Sequence, residues 1–390
     1  MPGLVVNPRA RIFHGHDWVY ASEIKKTFGD PQPGAVISLK DFRDRPLGSA
    51  IYNPKSQIVA RRFSRRRQEL DTDFFTRRIE RALAHRRTLD LAPPGHRRLV
   101  WSESDGLPGV IIDQYGEDIV LQTNTLAMDQ RRNSIVEAIE NTLQPRTIVE
   151  RNDSAIRTPE GLETRQGILR GPAPEVSTAN LGGFFQIVNV LGGQKTGVYL
   201  DQWDNYHHVA ALAKDRRTLD CFTNSGGFAL ACSAAGAREV TAIDSSEPCL
   251  EIARQNAVLG AMEIKWINAN VFDHLKDAAS GETAYDLVIL DPPSFTRRKG
   301  SLKDALRGYK EIHLRALKIL EMGGILATFS CSHHVNHETF MNVIRDAAVD
   351  AKRQLRLVAT FSQRSDHPVL ATLPETEYLR GFAFETIGAW

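Results

Sequence analysis

The stretch Thr218-Leu219-Asp220-Cys221-Phe222-Thr223-Asn224-Ser225-Gly226-Gly227-Phe228 decides how the chain is read. Its first five residues suit a buried strand, its glycine pair a tight turn, and residues 228–235 a helix. Paired glycines let the backbone approach a ligand, and the helix behind them offers free N–H groups to an anionic end. By itself such a pair also fits an ordinary turn. The next strand ends at Asp244, a carboxylate placed to accept hydrogen bonds from both hydroxyls of a ribose. Together these features point to a ligand containing adenosine.

The pattern repeats downstream. Strands are expected over 218–222, 239–243, 263–267, 287–290 and 325–329, with helices near 228–235, 248–259, 303–320 and 337–351. Such alternation predicts a parallel, doubly wound sheet, to which residues 378–384 would add an edge strand. Ligands of such sheets sit beyond the carboxyl ends of the strands. There the fourth strand gives Asp291-Pro292-Pro293-Ser294-Phe295, followed by Thr296-Arg297-Arg298-Lys299, and the fifth gives Ser330-Cys331-Ser332-His333-His334. Asp-Pro-Pro makes a stiff turn that can aim a carboxylate at a flat base. Cys331 lies just past an apolar run among polar neighbours, whereas Cys221, Cys232 and Cys249 read as core or surface thiols. No metal site is expected, because His333 and His334 have no matching ligand cluster. Neither G-x-G-x-x-G nor a phosphate-binding P-loop is present, which disfavours dinucleotides and nucleoside triphosphates. S-adenosylmethionine has no phosphates and suits the looser glycine loop.

The rest of the chain reads differently. With 390 residues, two or three folded units are expected. Hydrophobic residues at 42% and charged residues at 25% exclude a disordered or fibrous protein. No apolar run approaches a membrane span, no signal peptide is seen at the start, and four cysteines without a C-x-x-C pair suit a reducing cytoplasm. The net charge of +2 is unevenly spread: residues 1–98 hold 20 Lys and Arg against 10 Asp and Glu. Its peak, Arg61-Arg62-Phe63-Ser64-Arg65-Arg66-Arg67, reads either as a nucleic-acid patch or as a solvated linker. Short strands broken by Pro and Gly over residues 1–72 suggest a small β-barrel. A helical connector follows over 73–97, capped by Asp71 or Thr72. Residues 98–185 form a small α+β unit with one helix over 127–143, and 186–390 form the α/β domain.

In order along the chain, several motifs carry a resemblance. They are His14-Gly15-His16-Asp17-Trp18-Val19-Tyr20 with Ser22-Glu23-Ile24, then Asp105-Gly106-Leu107-Pro108-Gly109-Val110-Ile111-Ile112-Asp113 and Glu160-Gly161-Leu162. Gln194-Lys195-Thr196-Gly197-Val198-Tyr199-Leu200-Asp201-Gln202 is the most distinctive, and Asp291 to Phe295, Ser330-Cys331-Ser332 and Asp366-His367-Pro368 complete the set. The chain resembles the 23S rRNA (cytosine-5)-methyltransferases, which join an N-terminal PUA domain to a class I S-adenosylmethionine-dependent domain.

The resemblance implies a multidomain α/β protein with a PUA-like barrel, a central α+β unit and a Rossmann-like methyltransferase domain. Cofactor contacts would come from Lys195, Tyr199, Asp201, Gln202, Phe222, Thr223, Asn224, Ser225, Gly226, Gly227, Asp244, Ser245, Asn270, Asp291 and Pro292. Asn270 stands where an aspartate is usual, and Asn224-Ser225 where an aromatic residue and a threonine are common. Ribosomal RNA would be the partner, held by Arg61, Arg62, Arg65, Arg66, Arg67, Arg297 and Arg298, and a homodimer is admitted. Carbon 5 of cytosine is a poor nucleophile, so the implied chemistry adds a Cys331 thiolate at carbon 6 while Asp291 stabilises or protonates N3. The target base would be unpaired or flipped out. Methylation of an exocyclic amine, which needs no cysteine, and an RNA-binding assembly factor with an inactive domain remain the rival readings.

Overall fold

A computed structural model describes all residues except 194, 282–283, 296–301, 333 and 390, together with the side chain of 389. The chain forms two compact units: Met1–Val176 with Val188–Leu200 and Ser365–Thr376, and Ser177–Ile187 with Asp201–Arg364 and Glu377–Trp390. The single boundary expected at 186 is therefore replaced by several crossings. One falls within the hairpin of β12 (Ser177–Asn180) and β13 (Phe185–Val188).

The first unit opens with a six-stranded sheet of β1 (Gly3–Val6), β2 (Trp18–Tyr20), β3 (Ile24–Phe28), β4 (Val36–Lys40), β5 (Pro46–Tyr52) and β6 (Ile58–Ser64). Its order is β2-β6-β5-β4-β1-β3, so the two edge strands are consecutive in sequence. Only Ala21–Glu23 joins them, which forces the sheet to curl into a barrel. Leu4, Val6, Val19, Ile37, Leu39 and Ala60 fill its interior. Helix α1 (Thr72–Arg87) follows, and Asp71 is its cap, accepting from the Phe74 amide at 2.8 Å.

A second sheet, ordered β11-β10-β9-β8-β7, contains β7 (His96–Trp101), β8 (Val110–Tyr115), β9 (Asp118–Thr123), β10 (Thr147–Asn152) and β11 (Arg165–Arg170). Its apolar face packs with α1 around Phe75, Ile79, Leu99 and Ile112. The expected single helix over 127–143 is two helices, α2 (Leu126–Gln130) and α3 (Arg132–Leu143). At the break the Arg131 amide donates to Met128 O at 3.1 Å, and its guanidinium takes the carbonyls of Gly34 and Ala127.

Three of the quoted motifs meet in this unit as a buried ion network. Asp105 accepts both guanidinium nitrogens of Arg86, at 2.5 and 2.8 Å. Asp113 accepts Arg98 at 2.8 and 2.7 Å, and takes the Thr196 hydroxyl at 2.6 Å. Asp366 accepts the Arg98 amide at 2.9 Å, and its carbonyl takes Arg86 at 2.8 Å. These residues anchor the late segments 188–200 and 365–376 onto the central sheet. Removing one partner would strand a buried charge.

The second unit includes α4 (Trp203–Ala210) and is built on a seven-stranded sheet. Along the chain run β14 (Arg217–Cys221), α5 (Gly227–Ala234), β15 (Glu239–Asp244), α6 (Glu247–Leu259), β16 (Lys265–Asn268), α7 (Val271–Ala278) and β17 (Tyr285–Leu290). Then come α8 (Leu302–Ile319), β18 (Leu320–Ser330), α9 (His337–Asp350), β19 (Arg353–Ser362) and β20 (Arg380–Ala389). The order is β16-β15-β14-β17-β18-β20-β19, with β20 antiparallel to both neighbours. The parallel doubly wound expectation holds for the first five strands. The last strand is not an edge, however. Phe382, Ala383 and Phe384 are buried between β18 and β19, and the largely exposed β19 takes the edge. Helix α7, unread in the sequence, is only eight residues long and mixes Asp273, His274 and Lys276 into its apolar pattern.

Candidate active site

Strand β14 has β15 on one side and β17 on the other, so the chain reverses its direction of sheet growth there. This is the switch point at which doubly wound sheets hold ligands.

The loop after β14 is wound tightly. Phe222, Asn224 and Gly226 have φ of +64°, +50° and +87°. Thr223 is buried, and its hydroxyl donates to Asp220 Oδ2 at 2.5 Å. Asn224 Oδ1 accepts the Ser225 amide at 2.8 Å. Both glycines are also required by packing. A Cβ on Gly227 would lie 2.3 Å from the Tyr206 ring, and one on Gly226 would lie 2.9 Å from Trp266. Phe222, Asn224 and Ser225 are partly exposed at this mouth.

Asp244 ends β15, and each of its carboxylate oxygens is fixed by one backbone amide. Oδ2 accepts from Asn224 and Oδ1 from Ser246, both at 2.9 Å. Each oxygen keeps capacity for another hydrogen bond, and the residue is partly exposed, as a pair of ribose hydroxyls requires. Its neighbour Ser245 is exposed. Asn270 is exposed too and caps α7, its Oδ1 accepting from Phe272 at 2.9 Å, so only its amide NH2 remains for an adenine.

Asp291 follows β17, next to buried Pro292. Gln202 donates to its Oδ2 at 3.0 Å and is itself held by Asn205 at 2.7 Å. Gln202, expected at the cofactor, is thus in direct contact with Asp291. Asp201 is buried and accepts the Tyr378 hydroxyl at 2.6 Å. Lys195 and Tyr199 belong to the first unit, where the Lys195 ammonium lies 4.3 Å from the Tyr199 ring centre.

Cys331 follows β18, the neighbour of β17. Cys221, Cys232 and Cys249 are buried, whereas Cys331 is partly exposed. Burial pushes the thiols of Cys221 and Cys232 far up. The residues flanking Cys331 are clamped: the Tyr309 hydroxyl reaches Ser330 Oγ at 3.0 Å and Ser332 Oγ at 3.1 Å. Burial pushes Tyr309 up to about 12, so it stays a neutral hydroxyl. Ser294 Oγ meets Ser332 Oγ at 3.1 Å, tying the Asp291 loop to the Cys331 loop.

Two site residues escaped the sequence reading. Arg380 pairs across the sheet with Ser330 and is buried, donating to Ser332 O at 3.2 Å and also to Val335 O. It brings a positive charge to the Cys331 loop, and no local pattern 50 residues away signals it. Asp220 is the other. It is fully buried, its Oδ1 has no hydrogen-bond partner among the described residues, and burial pushes it up to about 7. The carboxylates of Asp291 and Asp244 add to that rise, against hydrogen bonds from Thr223 and Ala229. A carboxylate inside an apolar strand was the available signal.

Asp220 gives the site a measurable pH signature. Its folded pKa exceeds the unfolded value, so its stabilising contribution is complete below about pH 4 and is lost as pH rises through about 7. Asp220→Asn removes that dependence. The stability of the wild type relative to Asp220→Asn is expected to fall by a few kcal/mol, on the order expected for this shift, between pH 4 and 8. Denaturant titrations across this range read it, and a flat difference would mean that Asp220 is ionised throughout.

The basic residues divide. Arg62 is buried and paired with Asp17 at 2.6 Å, and Arg61 is paired with Glu103 at 2.6 Å. Both are therefore corrected from phosphate contacts to structural ion pairs. Arg65, Arg66 and Arg67 are exposed. Arg297 and Arg298 lie outside the described residues, as do Gln194 and His333.

This fold and strand-end chemistry define a class I S-adenosylmethionine-dependent methyltransferase joined to a PUA-like barrel. Residues 178–367 match the S-adenosylmethionine-dependent methyltransferase family, and residues 7–65 match the PUA-like domain. A methyltransferase complexed with SAH shares the fold at a TM-score of 0.86 and 22% identity, covering 99% of this chain and 100% of that one. A SAM-dependent methyltransferase from Streptococcus mutans does so at 0.85 and 21%, with the same coverage. In sequence, the chain is 38% identical over 383 residues to ribosomal RNA large subunit methyltransferase I of Klebsiella pneumoniae (strain 342), covering 95% of this chain and 94% of that protein. The enzyme of the same name from Vibrio cholerae serotype O1 is 38% identical over 379 residues, covering 95% and 96%. The chain belongs to the ribosomal RNA large subunit methyltransferase I family.

Proposed function

We propose that this enzyme methylates carbon 5 of a cytosine in large-subunit ribosomal RNA through a covalent adduct with Cys331. The observation that carries the reading is the pairing of a partly exposed cysteine after β18 with an oriented carboxylate after β17, on loops tied by Ser294 and Ser332. Amine methylation has no use for such a thiol. The large-subunit substrate follows the relatives' name, and the PUA-like barrel supports RNA as the partner. The enzyme would work in the cytoplasm, where bacterial ribosomal RNA is made.

The Cys331 thiolate adds to carbon 6, forming a C–S bond and moving the electron pair of the 5,6 double bond toward carbon 5. Asp291, held by Gln202, protonates or hydrogen-bonds N3 and stabilises the ring as its charge shifts. Arg380 places a positive charge at the Cys331 loop, which favours the thiolate. S-adenosylmethionine, when bound, supplies the electrophilic methyl group that carbon 5 takes. The carbon-5 proton then leaves to a base, and the C–S bond breaks to restore both the double bond and the thiolate.

Asp244 would hold the ribose. Asp244→Ala is expected to weaken S-adenosylmethionine binding by on the order of 1–3 kcal/mol while leaving RNA affinity alone. Calorimetry tests this, and an unchanged cofactor Kd would remove Asp244 from the site. The function as a whole is tested by nucleoside mass spectrometry of ribosomal RNA treated with the enzyme. 5-Methylcytidine is expected, whereas N4-methylcytidine would overturn the mechanism.

A further inference from the structure

The end of β6 and the first turns of α1 border a pocket of about 240 Å3, lined by Ser64, Gln68, Phe74, Arg77, Arg78 and Arg81. Arg77 and Arg81 are four residues apart on α1, and Arg78 and Arg81 three, so all three guanidinium groups share one side of the helix. Arg78 is fixed there: its Nη2 donates to Phe63 O at 3.0 Å, and its guanidinium lies 5.1 Å from the Phe74 ring centre.

The buried arginines of the unit, by contrast, are matched: Arg86 with Asp105, Arg98 with Asp113 and Arg157 with Asp129. Among the described residues, no acidic side chain pairs with Arg77, Arg78 or Arg81. Burial, together with the charges of Arg81 and Arg77, holds the Arg78 guanidinium below its ordinary value. Like charges at this spacing are a standing cost to the helix, and an anion in the pocket would relieve it.

We infer that this pocket seats a backbone phosphate of the RNA substrate, at a site separate from the one that holds the target base. The inference rests on the proposed RNA substrate. The fork of an arginine matches a phosphate's oxygens, and Ser64 and Gln68 add neutral polar groups. Between those two residues in sequence lie the exposed Arg65, Arg66 and Arg67, so the anion it suits continues past one phosphate. A free nucleotide would also need a face for its base, yet the one aromatic lining residue, Phe74, is buried beneath Arg78.

The test is fluorescence anisotropy of the full chain with a large-subunit rRNA fragment across a salt series. Arg77→Gln/Arg81→Gln is expected to weaken binding about tenfold near 0.1 M salt and to lower the slope of log K against log salt by about one. Arg77→Lys/Arg81→Lys keeps the charge and should retain most of the affinity. Unchanged affinity and slope in the glutamine variant, with the wild type binding normally, would overturn the pocket assignment alone. A wild type that binds no rRNA would overturn the substrate reading as well. Thermal stabilisation by inorganic phosphate that the glutamine variant loses, with RNA affinity intact, would make this a free-phosphate site and overturn its assignment to RNA.

Discussion

Cys331→Ala is expected to reduce methyl transfer by at least about 10⁴-fold, the scale on which loss of a covalent nucleophile is felt. Cofactor and RNA affinities should barely change, because the substitution removes a bond-forming atom and leaves the Tyr309 clamp on Ser330 and Ser332 in place. RNA carrying fluorine at carbon 5 of the target cytosine gives an independent readout. With no proton to lose from carbon 5, the C–S bond cannot break, and a protein–RNA adduct should accumulate. Peptide mapping should place it on Cys331. An active Cys331→Ala enzyme, or an adduct on another cysteine, would end the cytosine carbon-5 mechanism.

The second large effect is expected at Asp291. Asp291→Asn keeps the size of the side chain and an oxygen that can still accept from Gln202, but it loses the acid. The loss should lower kcat by about 10²–10⁴-fold, as for removal of a positioned proton donor, with little change in KM for RNA. Single-turnover assays with saturating cofactor read it. If KM rose while kcat stayed constant, Asp291 would be a binding residue and not part of the chemistry.

Much of the second unit was legible because parallel strands announce themselves. Buried runs such as Leu287 to Leu290 are apolar throughout, and the polar residues that follow them mark the ligand end of the sheet. Asp244, Asp291 and Cys331 are picked out this way, and the structure places each at a strand end. The errors share a cause. Position of β20 in the sheet, and with it Arg380, depends on pairing between strands some 50 residues apart. The packing role of the glycine pair is invisible for the same reason, because a sequence shows a missing side chain without showing what fills the space, here Tyr206 and Trp266. The arginine run is uniform in sequence, yet Arg61 and Arg62 lie on β6 and find Glu103 and Asp17, while Arg65 to Arg67 lie past its end.

By itself, then, the sequence determined the order of strands and helices, the barrel-then-α/β arrangement and the residues that terminate each strand. Those follow from periodicity and turn chemistry, which act over a few residues. Tertiary structure alone decided which charges are compensated. Asp113 and Asp105 look as free in sequence as Asp291, but they are spent on Arg98 and Arg86 across gaps of 15 and 19 residues. Arg77, Arg78 and Arg81 look like any basic helix face, and only folding shows that no carboxylate among the described residues pairs with them. Pairing of charges is a property of distance in space, and distance in space is set by packing, which no local pattern contains.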